Sequence, residues 1–104
     1  MSPLPQAWPR PARPRPIVVV GAGGIVRTAH LPVYRRLRLP VAGLFDVNPE
    51  AARETARLFD VPVVFGSLDD AAREPGAVFD LALPGSQILS TLERLPAGAP
   101  VLIQ

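Results

Sequence analysis

Three glycines within four positions, Gly21, Gly23 and Gly24, carry the clearest chemical signal in the chain. They follow the apolar run Ile17-Val18-Val19-Val20 and precede a helical pattern that opens at Ile25, giving the order strand, glycine-rich turn, helix. Such a turn frees backbone N–H groups and lacks the Cβ atoms that would hold a pyrophosphate away. The helix N-terminus behind it favours negative charge. The spacing is G-x-G-x-x-V, with Val26 where a dinucleotide fingerprint prefers Gly or Ala. Asp46 closes the next apolar run, Val41-Ala42-Gly43-Leu44-Phe45, 25 residues after Gly21. A carboxylate there can accept hydrogen bonds from adenosine ribose hydroxyls. The plain structural alternatives are a tight strand–helix turn with no ligand and, for Asp46, a helix cap or a solvated strand end.

The remaining chemically capable residues offer less. His30 is the only histidine, flanked by Ala29 and Leu31, and no second ligand or nucleophile stands at a meaningful spacing from it. A structural helix histidine is the expected reading. Asp69, Asp70, Asp80 and Glu93 show no paired spacing and are expected on the surface. Cysteine is absent, which excludes disulfides, thiolate catalysis and cysteine metal sites, and no metal site is visible.

The elements that must position these groups alternate between strand and helix. Residues 1–16 hold six of the 14 prolines and are expected to form an extended, Pro/Arg-rich disordered arm. A docking peptide around Trp8 and Arg10 is the functional alternative to an unstructured leader. Strand one covers 17–20, and the helix after Gly24 runs to about Leu37, with Ile25, Ala29, Val33 and Leu37 on its buried face and Pro32 as a kink or break. Strand two is 41–46. Asn48 is a plausible N-cap for a helix over 49–59 that begins with Pro49 and buries Ala52, Ala56 and Phe59. Val63-Val64-Phe65 is a short third strand, and 68–73 a helix of one or two turns. Residues 78–83 form strand four, 86–95 a helix burying Ile88, Leu89, Leu92 and Leu95, and 101–103 a fifth strand. This alternation demands an α/β, Rossmann-type doubly wound parallel sheet, expected in strand order 3-2-1-4-5. The ligand crevice then lies beyond the C-terminal ends of strands one and four. Strand five is an open edge of the type usually covered or extended, so association through it is expected and the chain reads as a piece of something longer.

Composition bounds the alternatives. The 104 residues suit one domain, and 48% hydrophobic content marks a folding sequence. No apolar run approaches the ~18 residues of a membrane span, and no signal core precedes the first strand, so a cytoplasmic location is expected. All 11 basic residues are arginine, three of them in the arm; from Ile17 onward 8 arginines face 9 acids, a net charge of −1. That balance argues against a nucleic-acid partner.

The run Val19-Val20-Gly21-Ala22-Gly23-Gly24-Ile25-Val26-Arg27-Thr28-Ala29-His30-Leu31-Pro32 resembles the opening of the Gfo/Idh/MocA oxidoreductases. The resemblance continues through Leu44-Phe45-Asp46-Val47-Asn48-Pro49-Glu50-Ala51-Ala52 and on to Val101-Leu102-Ile103-Gln104, covering 17–104. It implies an N-terminal dinucleotide-binding domain that is joined, in the family, to a C-terminal α/β domain supplying most of the substrate site and the subunit interface. By that resemblance Gly21, Gly23 and Gly24 form the phosphate loop, with the backbone around Ile25 facing the pyrophosphate. Asp46 holds the adenosine ribose and favours NAD over NADP, because its charge repels a 2′-phosphate. Leu83 and Pro84 pass the nicotinamide side. Family members follow strand five with Glu-Lys-Pro, whose lysine lies beside substrate and nicotinamide. Gln104 stands near the glutamate position, and no catalytic residue is assigned within this chain.

The resemblance thus implies the NAD(P)-binding half of an oxidoreductase acting on CH–OH groups of a sugar or polyol-like substrate. The small-molecule substrate belongs only to a full-length form. A non-catalytic dinucleotide-sensing or interaction module is the alternative of another class. A third, a different Rossmann ligand such as S-adenosylmethionine, is left open by Val26.

Overall fold

A computed structural model of the chain describes residues 14–103. The proline-rich arm and its docking alternative fall largely on 1–13, and Gln104 is the last residue; these lie outside the described residues. Four parallel strands, β1 (Ile17–Val20), β2 (Val41–Phe45), β3 (Val78–Leu81) and β4 (Val101–Ile103), form one sheet in the order β2-β1-β3-β4. The helices are α1 (Leu31–Arg36), α2 (Pro49–Phe59), α3 (Leu68–Ala72) and α4 (Gly85–Leu92), and a π-helical turn, Val26–His30, leads into α1.

β1 is the centre because its side chains alternate between two cores. Ile17 and Val19 pack with Val26, Leu31, Tyr34, Leu44, Ala52 and Ala56, under α1 and α2. Val18 and Val20 pack with Leu68, Ala71, Phe79 and Leu81, against which Ile88 and Leu92 of α4 also lie. Helices on both faces explain why four consecutive β-branched residues are all buried. The chain is already tied down just before β1: Arg15 Nε donates to the Gly76 carbonyl at 2.8 Å, and Val78 N–H donates to the Pro16 carbonyl at 2.8 Å.

The expected count of five strands is corrected to four among the described residues. Val63-Val64-Phe65 contributes only a single parallel bridge, Leu44 to Val64, outside β2. Leu44 N–H donates to the Val63 carbonyl and Phe65 N–H to the Leu44 carbonyl, at 3.0 and 2.9 Å. Pro62 has no N–H to offer the ladder and Gly66 turns the chain away, so pairing stops after one residue.

Pro32 lies in the first turn of α1, where the π-helical turn gives way to the α-helix at Leu31. Lacking an N–H, it cannot bond the Thr28 carbonyl, and the slack is taken up just before it, where Leu31 N–H reaches back to the Val26 carbonyl. This wider turn rotates the helix surface. The buried face is Val26, His30, Leu31 and Tyr34, whereas Ile25, Val33 and Leu37, expected inside, are about half exposed. Leu89 of α4, also expected inside, is 69% exposed. α2 matches its expected bounds. Its N-cap Asn48 accepts the N–H groups of Glu50 and Ala51, and Pro49 sits at the first helical position, where its missing N–H costs nothing. No helix among the described residues is long and apolar enough to cross a membrane.

Candidate functional site

The glycine turn leaves the C-terminal end of β1, and its three glycines have different reasons to be there. Gly21 adopts φ +117°, and a Cβ on it would lie 2.4 Å from the Ala82 carbonyl oxygen. The fold itself therefore requires glycine at 21, to let β1 pass close to the end of β3. Gly23 and Gly24 have no such requirement: among the described residues, a Cβ on either would meet nothing within 4 Å. Both are exposed at the start of the helical turn, and their missing side chains leave open space over the backbone.

The hydrogen-bond pattern separates the loop amides into two sets. Gly21 N–H donates to the Phe45 carbonyl at 2.7 Å, and Ala22 N–H to Asp46 Oδ2 at 2.8 Å. The amides of Gly23, Gly24 and Ile25 donate to no acceptor among the described residues, whereas those of Val26 and Arg27 turn back to the Gly23 carbonyl. Three successive N–H groups at a helix start form a cradle for an anion, and the helix dipole adds to their pull.

Asp46 sits directly beyond β2 and is half-buried. Its Oδ1 accepts the Asn48 N–H at 2.8 Å while Oδ2 holds Ala22, so the carboxylate ties the glycine turn to the start of α2. Each carboxylate oxygen has a second lone-pair direction, which leaves capacity for ligand hydroxyls. Asp46 also lines two adjoining hollows, of about 440 and about 470 Å3. Val20, Ser67, Leu83, Gln87 and Arg94 are among the residues lining the first, and Arg53 and Phe65 among those lining the second. Arg94, which lines the first hollow, pairs through Nη2 with Asp69 Oδ1 at 2.7 Å.

The structure thus brings Asp46 and Leu83 into one hollow, while Gly23, Gly24 and Ile25 are exposed and do not line it; the turn meets the hollow only through the bond from Ala22 N–H to Asp46. Pro84 does not line that hollow; it is the N-cap residue of α4. Among the described residues no group of three His, Asp or Glu side chains is close enough to hold a metal ion.

A second polar cluster escaped the sequence reading. Asp80, expected on the surface, has no exposed area. It lies on β3, between β1 and β4, on the face covered by the first helix. Tyr34 Oη donates to its Oδ2 at 2.6 Å, and His30 Nδ1 lies 2.9 Å from the same oxygen. The ring N–H of His30 is not aimed at that oxygen, and neither His30 Nδ1 nor Asp80 Oδ1 has a hydrogen-bond partner among the described residues. Burial first, then the hydrogen bond to Asp80 and its negative charge, push the Tyr34 hydroxyl well above its ordinary pKa of 10.0. The available signal was an acid inside the apolar run Val78-Phe79-Asp80-Leu81, an unusual place for a solvated charge.

The chain has clear likenesses among known proteins. The model of the oxidoreductase family with an NAD-binding Rossmann fold, Gfo/Idh/MocA, matches residues 15–96. An oxidoreductase from Thermotoga maritima superposes with a TM-score of 0.78 at 25% identity, covering 88% of this chain and 29% of that one. The UDP-N-acetylglucosamine 3-dehydrogenase GnnA from Acidithiobacillus ferrooxidans superposes with a TM-score of 0.72 at 28% identity, covering 86% of this chain and 28% of that one. This chain therefore spans less than a third of the length of these solved structures. None of the curated proteins matches it.

Proposed function

The chain belongs to the Gfo/Idh/MocA oxidoreductase family through its NAD-binding Rossmann domain, and we propose that it binds NAD with the diphosphate on the glycine turn and the adenosine end in the hollow that Asp46 lines. The observation that carries this reading is the pairing of open space with unused amides at Gly23 and Gly24, which the fold does not need for its own sake. A diphosphate fits that pairing: the amides of residues 23–25 donate to it, and the turn gives it a positive dipole end.

In this reading the free capacity of the Asp46 carboxylate accepts the adenosine ribose hydroxyls, and its charge opposes a 2′-phosphate, favouring NAD over NADP. Leu83 lines the hollow that Asp46 shares, so its side chain meets the adenosine half. Pro84, beyond it at the start of α4, remains the residue of the pair on the nicotinamide side. Bound nicotinamide supplies a hydride acceptor or donor. The chain's own part is to grip the diphosphate, fix the ribose and so orient the ring. No residue of 14–103 is assigned as proton donor or acceptor, a role that the family resemblance gives to a second, substrate-binding domain. The likeness to a nucleotide-sugar dehydrogenase supports a CH–OH group on a sugar or polyol as the substrate of the whole enzyme. A cytoplasmic setting, where the cofactor pool lies, is part of the same reading.

The test is a titration of the isotopically labelled chain with NAD, followed by amide resonances. Saturable shifts at Gly23, Gly24 and Asp46 are expected. Shifts confined to other residues, or none at millimolar NAD, would overturn the assignment.

A further inference from the structure

Thr55 has no exposed surface, on a helix face that otherwise buries Ala52 and Ala56. A buried hydroxyl needs at least one hydrogen-bond partner, and Thr55 has two. Arg27 Nε donates to Thr55 Oγ1 at 2.7 Å, and Arg27 is itself held 3.6 Å from Glu54. With its lone pair engaged by Arg27, the hydroxyl gives its proton to the Ala22 carbonyl, at a long 3.4 Å. Ala22 is the residue between the first two glycines of the turn, and its N–H is already taken by Asp46. Both peptide units flanking Ala22 are therefore held by side chains from β2's end and α2, neither of which belongs to the turn.

We propose that Thr55 is a positioning residue for diphosphate binding: by drawing the Ala22 carbonyl toward α2, it turns the Gly23 N–H the opposite way, toward the ligand. This rests on the dinucleotide reading. A planar trans peptide sets the N–H of one residue antiparallel to the C=O of the residue before it, and the described residues contain no cis peptide. The carbonyl pinned inward and the amide aimed outward are two ends of one rigid unit. Arg27 makes the arrangement directional. By occupying the Thr55 lone pair, it leaves the hydroxyl proton for Ala22 rather than for a rotamer facing elsewhere.

The experiment compares the parent chain with Thr55→Val, Thr55→Ala and Thr55→Ser, titrating NAD and, separately, adenosine while following the Gly23 and Gly24 amides. Valine keeps the shape without the hydroxyl. Alanine, already present at 52 and 56 on the same face, provides a hydroxyl-free variant that suits the helix should valine fail to fold. Loss of the hydroxyl is expected to weaken NAD by about five- to tenfold, the scale of one hydrogen bond. Adenosine affinity stays unchanged, because it carries no diphosphate, and serine restores NAD binding. Parental NAD affinity in the valine or alanine variant overturns the role of Thr55 and leaves the dinucleotide reading standing. Equal loss of NAD and adenosine also overturns it, since that marks a general packing defect. A parent chain that shows no NAD response overturns both.

Discussion

The Tyr34 hydroxyl meets Asp80 Oδ2 at 2.6 Å beneath the first helix, joining that helix to a central strand through one buried carboxylate oxygen. The oxygen is shared with His30 Nδ1 at 2.9 Å, so three polar side chains meet where the pattern of the sheet leads one to expect only hydrocarbon. A buried carboxylate is tolerated only where donors compensate its lost hydration, and among the described residues Tyr34 is its one well-aligned donor.

Tyr34 therefore gives folding an alkaline limit. Its pKa is raised in the folded state, so above its ordinary value of 10.0 the unfolded chain loses the phenolic proton first. The folded state then holds more protons than the unfolded one, and stability falls with rising pH by up to about 1.4 kcal/mol per pH unit. The contribution is fully present below pH 10 and declines above it. The background is simple, since Tyr34 is the only tyrosine and the chain has neither lysine nor cysteine. Urea unfolding between pH 8 and 11.5 should show this decline. Tyr34→Phe should flatten the profile while lowering stability at neutral pH by about 1–3 kcal/mol, the cost of leaving the carboxylate without its donor. An unchanged slope in the variant would assign the decline to another group.

Gly21 and Gly23 should behave as opposites. An alanine at 21 must take a left-handed φ and drive its Cβ into the Ala82 carbonyl, so a loss of more than about 3 kcal/mol is expected by denaturation. An alanine at 23 meets open space, and its effect on stability should stay below about 1 kcal/mol. The same methyl stands where the diphosphate is proposed to lie, and calorimetry should show NAD affinity reduced by about tenfold or more. If Gly23→Ala keeps parental NAD affinity, the phosphate does not rest against residue 23.

Asp46 offers a test of charge rather than of space. Asp46→Asn keeps one acceptor oxygen but cannot serve both the Ala22 and Asn48 amides together with a ribose. NAD affinity should fall by about tenfold, while NADP, no longer repelled, should gain relative to NAD. Parallel calorimetric titrations with the two cofactors read this as a change in ratio. Equal NAD affinity in parent and variant would remove Asp46 from the site.

The features legible in the sequence are those set by a few neighbouring residues. β1 could be read because four β-branched residues in a row have few other homes, and α2 because Asn48 and Pro49 mark its start through local hydrogen bonding and a preset φ. The glycine turn and the carboxylate after β2 are local in the same way. The third strand failed where local signals were weakest: three apolar residues between a proline and a glycine carry the composition of a strand but too little ladder to become one. The face of the first helix failed because a π turn, set off by Pro32, changes the periodicity on which the reading relied.

By itself, then, the sequence determined the alternation of elements, the glycine turn and the acid 25 residues beyond it, because steric preference and hydrogen bonding over a few residues suffice for each. The tertiary structure alone decided that Asp80 is buried against Tyr34 and His30, that Thr55 reaches Ala22, and that Leu83 shares a hollow with Asp46. Those meetings join residues 33 to 50 positions apart, apart from the adjacent turn of Tyr34 and His30 themselves, and depend on strand register and helix rotation. Both are set by how two cores pack on opposite faces of one sheet, a property that no short stretch of chain carries.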